Sequence, residues 1–199
     1  MFVLGIAGGS ASGKTTLARA LADRLGDRCL LVAHDRYYRP RSQARERNFD
    51  HPDALDSGRL IDDLHRLKAG HPAHLPVYDF ARHDRADHAD RVDPRPVVIV
   101  EGILILAVEP LRELLDLRVY VDAPDDLRLA RRIRRDVAER GRTALEVLDQ
   151  YERSVRPMHH EWVASSRHHA DVVVDGTQPL DGALEELASR FHREVTPSR

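Results

Sequence analysis

Short apolar runs alternate with amphipathic stretches along most of this chain. The runs at residues 2–7, 29–33, 97–102, 117–122 and 170–176 have the length and continuous hydrophobicity of strands buried on both faces of a parallel sheet. Strands that alternate with helices form right-handed βαβ units, so the pattern predicts one parallel sheet with helices on both faces. The run at 97–102 is the most apolar, and we predict that it is the central strand.

Helices are predicted where apolar side chains recur at a spacing of three and four residues. Thr143 and Glu146 have the spacing of a capping box, which marks the start of a helix. Pro157 is predicted to interrupt the helical segment that follows, because proline cannot donate a backbone hydrogen bond. The predicted helices cover residues 14–25, 57–70, 125–141, 143–155 and 180–192.

Two segments depart from this alternation. Residues 71–95 are dominated by proline, histidine and alternating polar residues, and we predict an extended β-hairpin that projects from the core, the hairpin flap. Residues 36–54 are polar, irregular and too long for a simple connector, which makes them a candidate functional loop. The length of 199 residues predicts a single domain, residues 1–199, with the flap as an appendage.

Charge and hydropathy argue against several kinds of partner. The formal net charge is -2, so no strong field directs the chain toward nucleic acid or an anionic membrane. No apolar run approaches the roughly 20 residues that span a bilayer. The N-terminus carries no charged leader, so a cytoplasmic location is expected.

One glycine-rich segment carries a lysine in a chain that otherwise uses arginine. Lys14 and Lys68 are the only lysines. Residues 8–15, GGSASGKT, match G-x-x-x-x-G-K-[ST] and lie between a predicted strand and a predicted helix, as a phosphate-binding loop does. Glycines let successive backbone N–H groups point at one anion, Lys14 can reach the β- and γ-phosphates, and Thr15 can bind Mg²⁺. The predicted nucleotide-binding residues here are Gly8, Gly9, Ser10, Ala11, Ser12, Gly13, Lys14, Thr15 and Thr16.

This phosphate loop (residues 8–15) identifies a nucleotide and leaves the reaction open. The chain has no N-K-x-D segment, which argues against a GTPase, and it is too small for a AAA-type motor. Asp35 follows the second strand at the edge where ligands bind, so it could take the proton from an attacking hydroxyl; a turn or capping aspartate is the alternative. Glu101 ends a buried strand, and Mg²⁺ is its natural partner. The predicted metal ligands are Thr15, Asp35 and Glu101.

At these residues the chain resembles the uridine/cytidine kinase family. The segments NFDHPDA and PVYDF are more specific than the phosphate loop, since phosphoribulokinase and pantothenate kinase share the loop without this pair. The resemblance implies a P-loop NTPase-type doubly wound α/β fold with a hairpin flap and a helical lid at residues 131–143, the lid segment. The matching segments are 8–16, 34–39, 48–56, 76–85, 97–106, 131–142 and 156–174.

The resemblance implies transfer of the γ-phosphate of ATP or GTP to the 5′-hydroxyl of uridine or cytidine, giving UMP or CMP in pyrimidine salvage, with Mg²⁺. Asp35 and Lys14 would be catalytic, and Asp50 would accept hydrogen bonds from both ribose hydroxyls. Arg135 and Arg140, on the lid segment, would close over phosphates. The implied substrate-binding residues are Tyr38, Phe49, Asp50, Tyr78, His83, Arg132, Arg142 and Gln150.

Several alternatives stay open at the level of sequence. The arginine run at 131–142 could be a solvated helix face, and Phe49 and Tyr78 could be core aromatics. The acceptor could be another alcohol, such as a ribosylnicotinamide or pantothenate, or the chain could be a regulatory module that hydrolyses ATP slowly. Arg36 stands where the family commonly has serine, at a position close to the nucleotide or the metal shell. The resemblance also implies a homo-oligomer, a tetramer in much of the family.

Overall fold

The fold was analysed in a computed structural model, which describes residues 1–40, 42–43, 48–80 and 82–195, with side chains described to residue 190. Parts of the 36–54 loop, residues 41 and 44–47, and residue 81 of the hairpin flap lie outside the described residues. The strands are β1 (Phe2–Gly8), β2 (Cys29–Ala33), β3 (Ala73–Asp79), β4 (Asp84–Val92), β5 (Val97–Glu101), β6 (Leu117–Asp122) and β7 (Val172–Asp175). The helices are α1 (Lys14–Leu25), α2 (Ser57–Lys68), α3 (Glu109–Arg112), α4 (Asp125–Arg140), α5 (Ala144–Gln150), α6 (Arg156–Met158) and α7 (Asp181–Val195).

The main sheet is parallel, and within the described ranges its strand order is β2-β5-β1-β6-β7. The prediction that residues 97–102 form the central strand is wrong, because β1 occupies the middle and pairs with β5 on one side and β6 on the other. Both β1 and β5 are buried along their whole length. Hydrophobicity therefore marks an interior strand without fixing its place in the order.

Helices cover both faces of this sheet, as predicted. Along β5, Val98 and Val100 pack into a cluster with α2, whereas Val97 and Ile99 pack into a separate cluster with α1 and α7. This alternation is the direct result of side chains pointing to opposite faces of a strand. The sheet thereby lies between two apolar layers, and its carboxyl edge is left for polar residues.

The helical segment after α4 differs from the prediction. The capping box is present, since the Glu146 N–H donates to the Thr143 hydroxyl and the Thr143 N–H donates to the Glu146 carboxylate. Pro157, however, does not interrupt the segment. It lies in the first turn of α6, between wide π-helical turns at Tyr151–Val155 and His159–Ala164. A wider turn accommodates a residue that lacks an N–H, so the helical path continues.

The hairpin flap is present as the antiparallel pair β3–β4, apart from the main sheet. A register shift between Pro76 and Tyr78 bends it, and His83 adopts a left-handed conformation at its turn. Arg59 of α2 donates to the backbone carbonyl of His74 and ties the flap to the core. In the described part of the chain, we find no helix that is both long and apolar enough for a membrane span.

Candidate active site

The phosphate loop is shaped by its backbone. It begins at Gly8, the last residue of β1, and contains Gly13, whose φ of 107° is one that residues with a side chain rarely adopt. Gly8 has a φ of 145°, and a Cβ there would overlap the backbone carbonyl oxygen of Val121. A Cβ on Gly9 would come within 2.5 Å of the Arg128 guanidinium. The backbone of the loop therefore requires glycine at Gly8 and Gly13, where it curls over the end of the sheet.

Lys14 and Thr15 meet Glu101 at the carboxyl edge of the sheet. The Thr15 hydroxyl donates to Glu101 Oε2 at 3.2 Å, and Lys14 Nζ lies 3.9 Å from the same oxygen. Burial raises the pKa of Glu101, and the charge of Lys14 opposes this rise. A hydroxyl beside a buried carboxylate is a ligand set that suits Mg²⁺, which prefers oxygen donors. The three predicted metal ligands, Thr15, Asp35 and Glu101, line one cleft.

The cleft between the phosphate loop, the lid segment and the flap has a volume of about 740 Å³. It brings together residues that lie far apart in the sequence. The predicted site residues that line it are Ser10, Ala11, Gly13, Lys14, Thr15, Thr16, Asp35, Tyr38, Asp50, Glu101, Arg132, Arg135 and Arg140. The predicted site residues outside its lining are Gly8, Gly9, Ser12, Phe49, Tyr78, His83, Arg142 and Gln150.

Two carboxylates face the cleft opposite the phosphate loop. Asp35 is placed by the turn at residues 34–39, the acceptor turn, which follows β2 directly. Asp50 is only 8% exposed. Burial raises the pKa of Asp50, the guanidinium of Arg132 opposes this, and the charge of Asp35 adds to the rise. A buried carboxylate with a raised pKa is a strong acceptor for hydroxyl groups that replace its lost water.

The predicted aromatic residues form one cluster, of which only part reaches the cleft. The Tyr38 ring packs against Tyr78 and Phe49 at centroid distances of 5.2 and 5.4 Å, and its hydroxyl donates to the Phe49 carbonyl. Phe49 in turn stacks on His83 at 5.2 Å. The sequence prediction missed Phe80, which is 50% exposed and lines the cleft. The signal was available, because Phe80 ends the PVYDF segment that carries the family resemblance.

Gln150 links Arg142, which lies outside the cleft lining, to Arg132, which lies in it. The Gln150 amide oxygen accepts from Arg132 at 3.0 Å and from Arg142 at 2.6 Å. Arg132 also donates to the Ser10 hydroxyl at 2.8 Å and so joins the lid segment to the phosphate loop. The alternative of a solvated face fails for Arg132, which is 7% exposed. Sequence reasoning had no signal for this network, since these pairs depend on how α4 and α5 pack.

Two arginines join the flap to the acceptor turn in opposite directions. Arg36 of the turn donates to the Pro76 carbonyl at 2.8 Å and pairs with Asp90 of β4 at 2.5 Å. Arg85 of β4 donates to the Tyr38 carbonyl at 2.8 Å. Arg36 lines the cleft, but these hydrogen bonds direct its guanidinium to the flap. Arg36 thus attaches the flap to the turn.

The fold and the loop define a class. A parallel sheet with a phosphate loop after its middle strand, carboxylates along its carboxyl edge and an arginine-rich helix opposite is the architecture of P-loop phosphotransferases. The fold of a putative fructose transport system kinase from Silicibacter sp. TM1040 matches with a TM-score of 0.70, at 21% identity, over 86% of this chain and 88% of that one.

The chain belongs to the phosphoribulokinase / uridine kinase family, whose profile matches residues 3–181. It is 47% identical to a uridine kinase of Chloroflexus aggregans over 195 residues, which is 95% of this chain and 93% of that protein. A solved structure described as a possible uridine kinase from Bacillus stearothermophilus matches with a TM-score of 0.57 at 26% identity, covering 87% and 88% of the two chains. The family resemblance and the doubly wound fold are thereby confirmed.

Proposed function

We propose that this protein is a uridine/cytidine kinase, an enzyme that transfers the γ-phosphate of ATP or GTP to the 5′-hydroxyl of a pyrimidine ribonucleoside. The observation that carries this proposal is that Asp35 and Asp50 line the same cleft as the phosphate loop. The identity to a protein named uridine kinase, 47% over nearly the whole chain, supports the same substrate class.

Asp35 is proposed to orient the 5′-hydroxyl and to take its proton as the oxygen attacks phosphorus. Its place at the end of β2, on the edge that carries Lys14 and Glu101, supports this role because a general base must reach the acceptor beside the phosphates. Lys14 would neutralise charge on the transferring group. Thr15, Glu101 and Asp35 would hold Mg²⁺, which when bound offsets the charge on the β- and γ-phosphates.

Asp50 is proposed to accept hydrogen bonds from both ribose hydroxyls. Its burial supports this role, since a carboxylate withdrawn from water gains from two donors and loses if one is missing. Tyr38 and Phe80 provide flat surfaces for the pyrimidine. Phe49 and Tyr78, which contact the Tyr38 ring, are proposed to support it from behind. His83 stacks on Phe49 and is exposed, and it is proposed to contact the edge of the base.

Arg132, Arg135 and Arg140 are proposed to close over the substrates. All of them line the cleft, and Arg132 already bridges to Ser10. Closure of the lid segment would exclude water, which otherwise competes with the nucleoside as acceptor. By family resemblance, the active enzyme is proposed to be a homotetramer in the cytoplasm.

A panel of acceptor alcohols with ATP and Mg²⁺, scored by ADP release, tests the proposal. We expect uridine and cytidine to drive release, with 2′-deoxyuridine at least about tenfold poorer because it leaves Asp50 one donor short. Preference for a ribosylnicotinamide or pantothenate would overturn the acceptor assignment. ADP release that no acceptor accelerates would instead indicate a slow regulatory ATPase.

A further inference from the structure

Asp136 is a buried acidic residue of the lid segment to which neither the sequence analysis nor the proposed function gives a role. It lies on α4, and its side chain is fully buried. An ionised carboxylate in such a place is costly unless charged donors surround it. Its surroundings therefore show what it does.

Arginine side chains surround this carboxylate, and its two oxygens divide them into pairs. Within the described part of the chain, Oδ1 lies 2.8 Å from Arg135 and 3.5 Å from Arg140. Oδ2 lies 3.4 Å from Arg142 and 3.8 Å from Arg132. The first pair comprises the two arginines predicted to bind phosphates, and the second pair comprises the two predicted to bind the nucleoside.

The second pair is fixed further by Gln150, which accepts from both of its members. Arg132 then reaches the phosphate loop through Ser10. Asp136 is consequently the contact that the phosphate-facing arginines and the acceptor-facing arginines share. Because arginine side chains are long and repel one another, a fixed common acceptor limits the positions they can adopt.

We propose that Asp136 is a positioning residue that holds these four arginines in the arrangement that receives a polyphosphate. This proposal depends on the proposed function only in that the second pair of arginines is taken to bind a nucleoside. The competing role is simple charge balance, in which Asp136 merely offsets positive charge among the arginines. The two roles predict opposite results when the charge is removed, since loss of a negative charge strengthens attraction for an anion on Coulombic grounds alone.

Equilibrium binding of ATP and of inorganic tripolyphosphate, measured by calorimetry on the full chain without an acceptor, distinguishes these roles. Positioning predicts that Asp136→Asn binds both about tenfold more weakly, which corresponds to one charge-assisted hydrogen bond. The matched control is Asp126→Asn, the same change at an exposed position of α4, which should bind both as the wild type does. Unchanged or tighter binding by Asp136→Asn, in a variant that melts cooperatively, would overturn the proposal.

A second pair of variants decides the question if Asp136→Asn does not fold. Arg142 lies outside the cleft lining, and Arg142→Gln removes its contacts with Asp136 Oδ2 and with the Gln150 amide oxygen. Its control is Arg153→Gln, an equal loss of charge on an exposed residue of the π-helical turn Tyr151–Val155. We expect tripolyphosphate binding about three times weaker for the first variant than for the second, a change typical of residues that couple to a site through others. Equal binding of tripolyphosphate by the two variants would count against a positioning role.

Absence of uridine phosphorylation by the wild type would overturn the proposed function and leave both binding tests valid.

Discussion

The phosphate loop and the acceptor wall, formed by the acceptor turn, residues 48–50 and the hairpin flap, hold their functional groups in different ways. The loop is a single run of residues whose shape comes from glycine backbone and from the strand and helix at its ends. The acceptor wall is assembled from separate segments by side chains, above all Arg36, Arg85 and Tyr38. Replacing a glycine should therefore weaken ATP binding by the phosphate loop, whereas loss of a single side chain should weaken nucleoside binding by the acceptor wall.

The largest effect is expected for Asp35→Asn. Loss of the proposed base should lower kcat for uridine by about 1,000-fold, in the range that general-base catalysis supplies. The affinity for ATP should stay near the wild-type value, because the phosphate loop is untouched. Steady-state kinetics combined with ATP titration measures both quantities. Turnover at the wild-type rate would remove Asp35 from this role.

Gly8→Ala probes the backbone of the phosphate loop. Gly8 has a φ of 145°, and an added Cβ would overlap the Val121 carbonyl oxygen, so the loop must shift to admit a methyl group. We expect ATP affinity to fall about 100-fold, given the usual cost of a strained backbone conformation. Gly58→Ala is the control, since that glycine lies in α2 and nothing lies within 4 Å of its added Cβ. Similar ATP affinities in the two variants would show that the phosphate loop can accept a side chain at residue 8.

Asp50→Asn addresses the acceptor wall. Replacing a buried carboxylate by an amide should lower kcat/KM for uridine roughly tenfold to 100-fold, the equivalent of charge-assisted hydrogen bonds to hydroxyl donors. The effect on 2′-deoxyuridine should be smaller, so the preference for the ribonucleoside narrows. Asp53→Asn serves as the control, because its side chain is 80% exposed. If the preference for uridine over 2′-deoxyuridine stays constant, Asp50 does not bind the ribose hydroxyls.

The smallest effect concerns the attachment of the flap. Arg36→Ala and Asp90→Ala should each raise KM for uridine about two- to threefold without altering KM for ATP, since exposed ion pairs are weak. The double variant should be no worse than Arg36→Ala alone, because the two side chains form one contact. Additive increases would mean that the flap is positioned by other contacts. The kinetic constants of the four proteins provide the measurement.

The sequence predicts what depends on neighbouring residues. The bounds of α1 and β2 and the phosphate loop follow from hydrophobic periodicity and glycine spacing, and the structure confirms them. The middle position of β1 does not follow, because β1 and β5 are both buried along their whole length and only their pairing distinguishes them. The link between Gln150 and Arg132 also escapes, since it arises where α4 packs against α5. The pairing of Asp136 with Arg132 and Arg140 is different, because these residues are four apart on α4, a spacing that brings helical side chains together. Pro157 misleads because the surrounding π-helical turns absorb it.

The reciprocal arginines of the flap and the acceptor turn have a consequence for how substrates enter. Arg36 extends from the turn into the hairpin, and Arg85 extends from the hairpin back to the turn. Arg85 also pairs at 3.2 Å with Asp56, the residue that caps the N-terminus of α2. To swing outward, the hairpin would have to break hydrogen bonds donated from both sides at once. A nucleoside is therefore expected to arrive and leave by the opposite side of the cleft, where the helices that carry the other arginines can move while this side stays still.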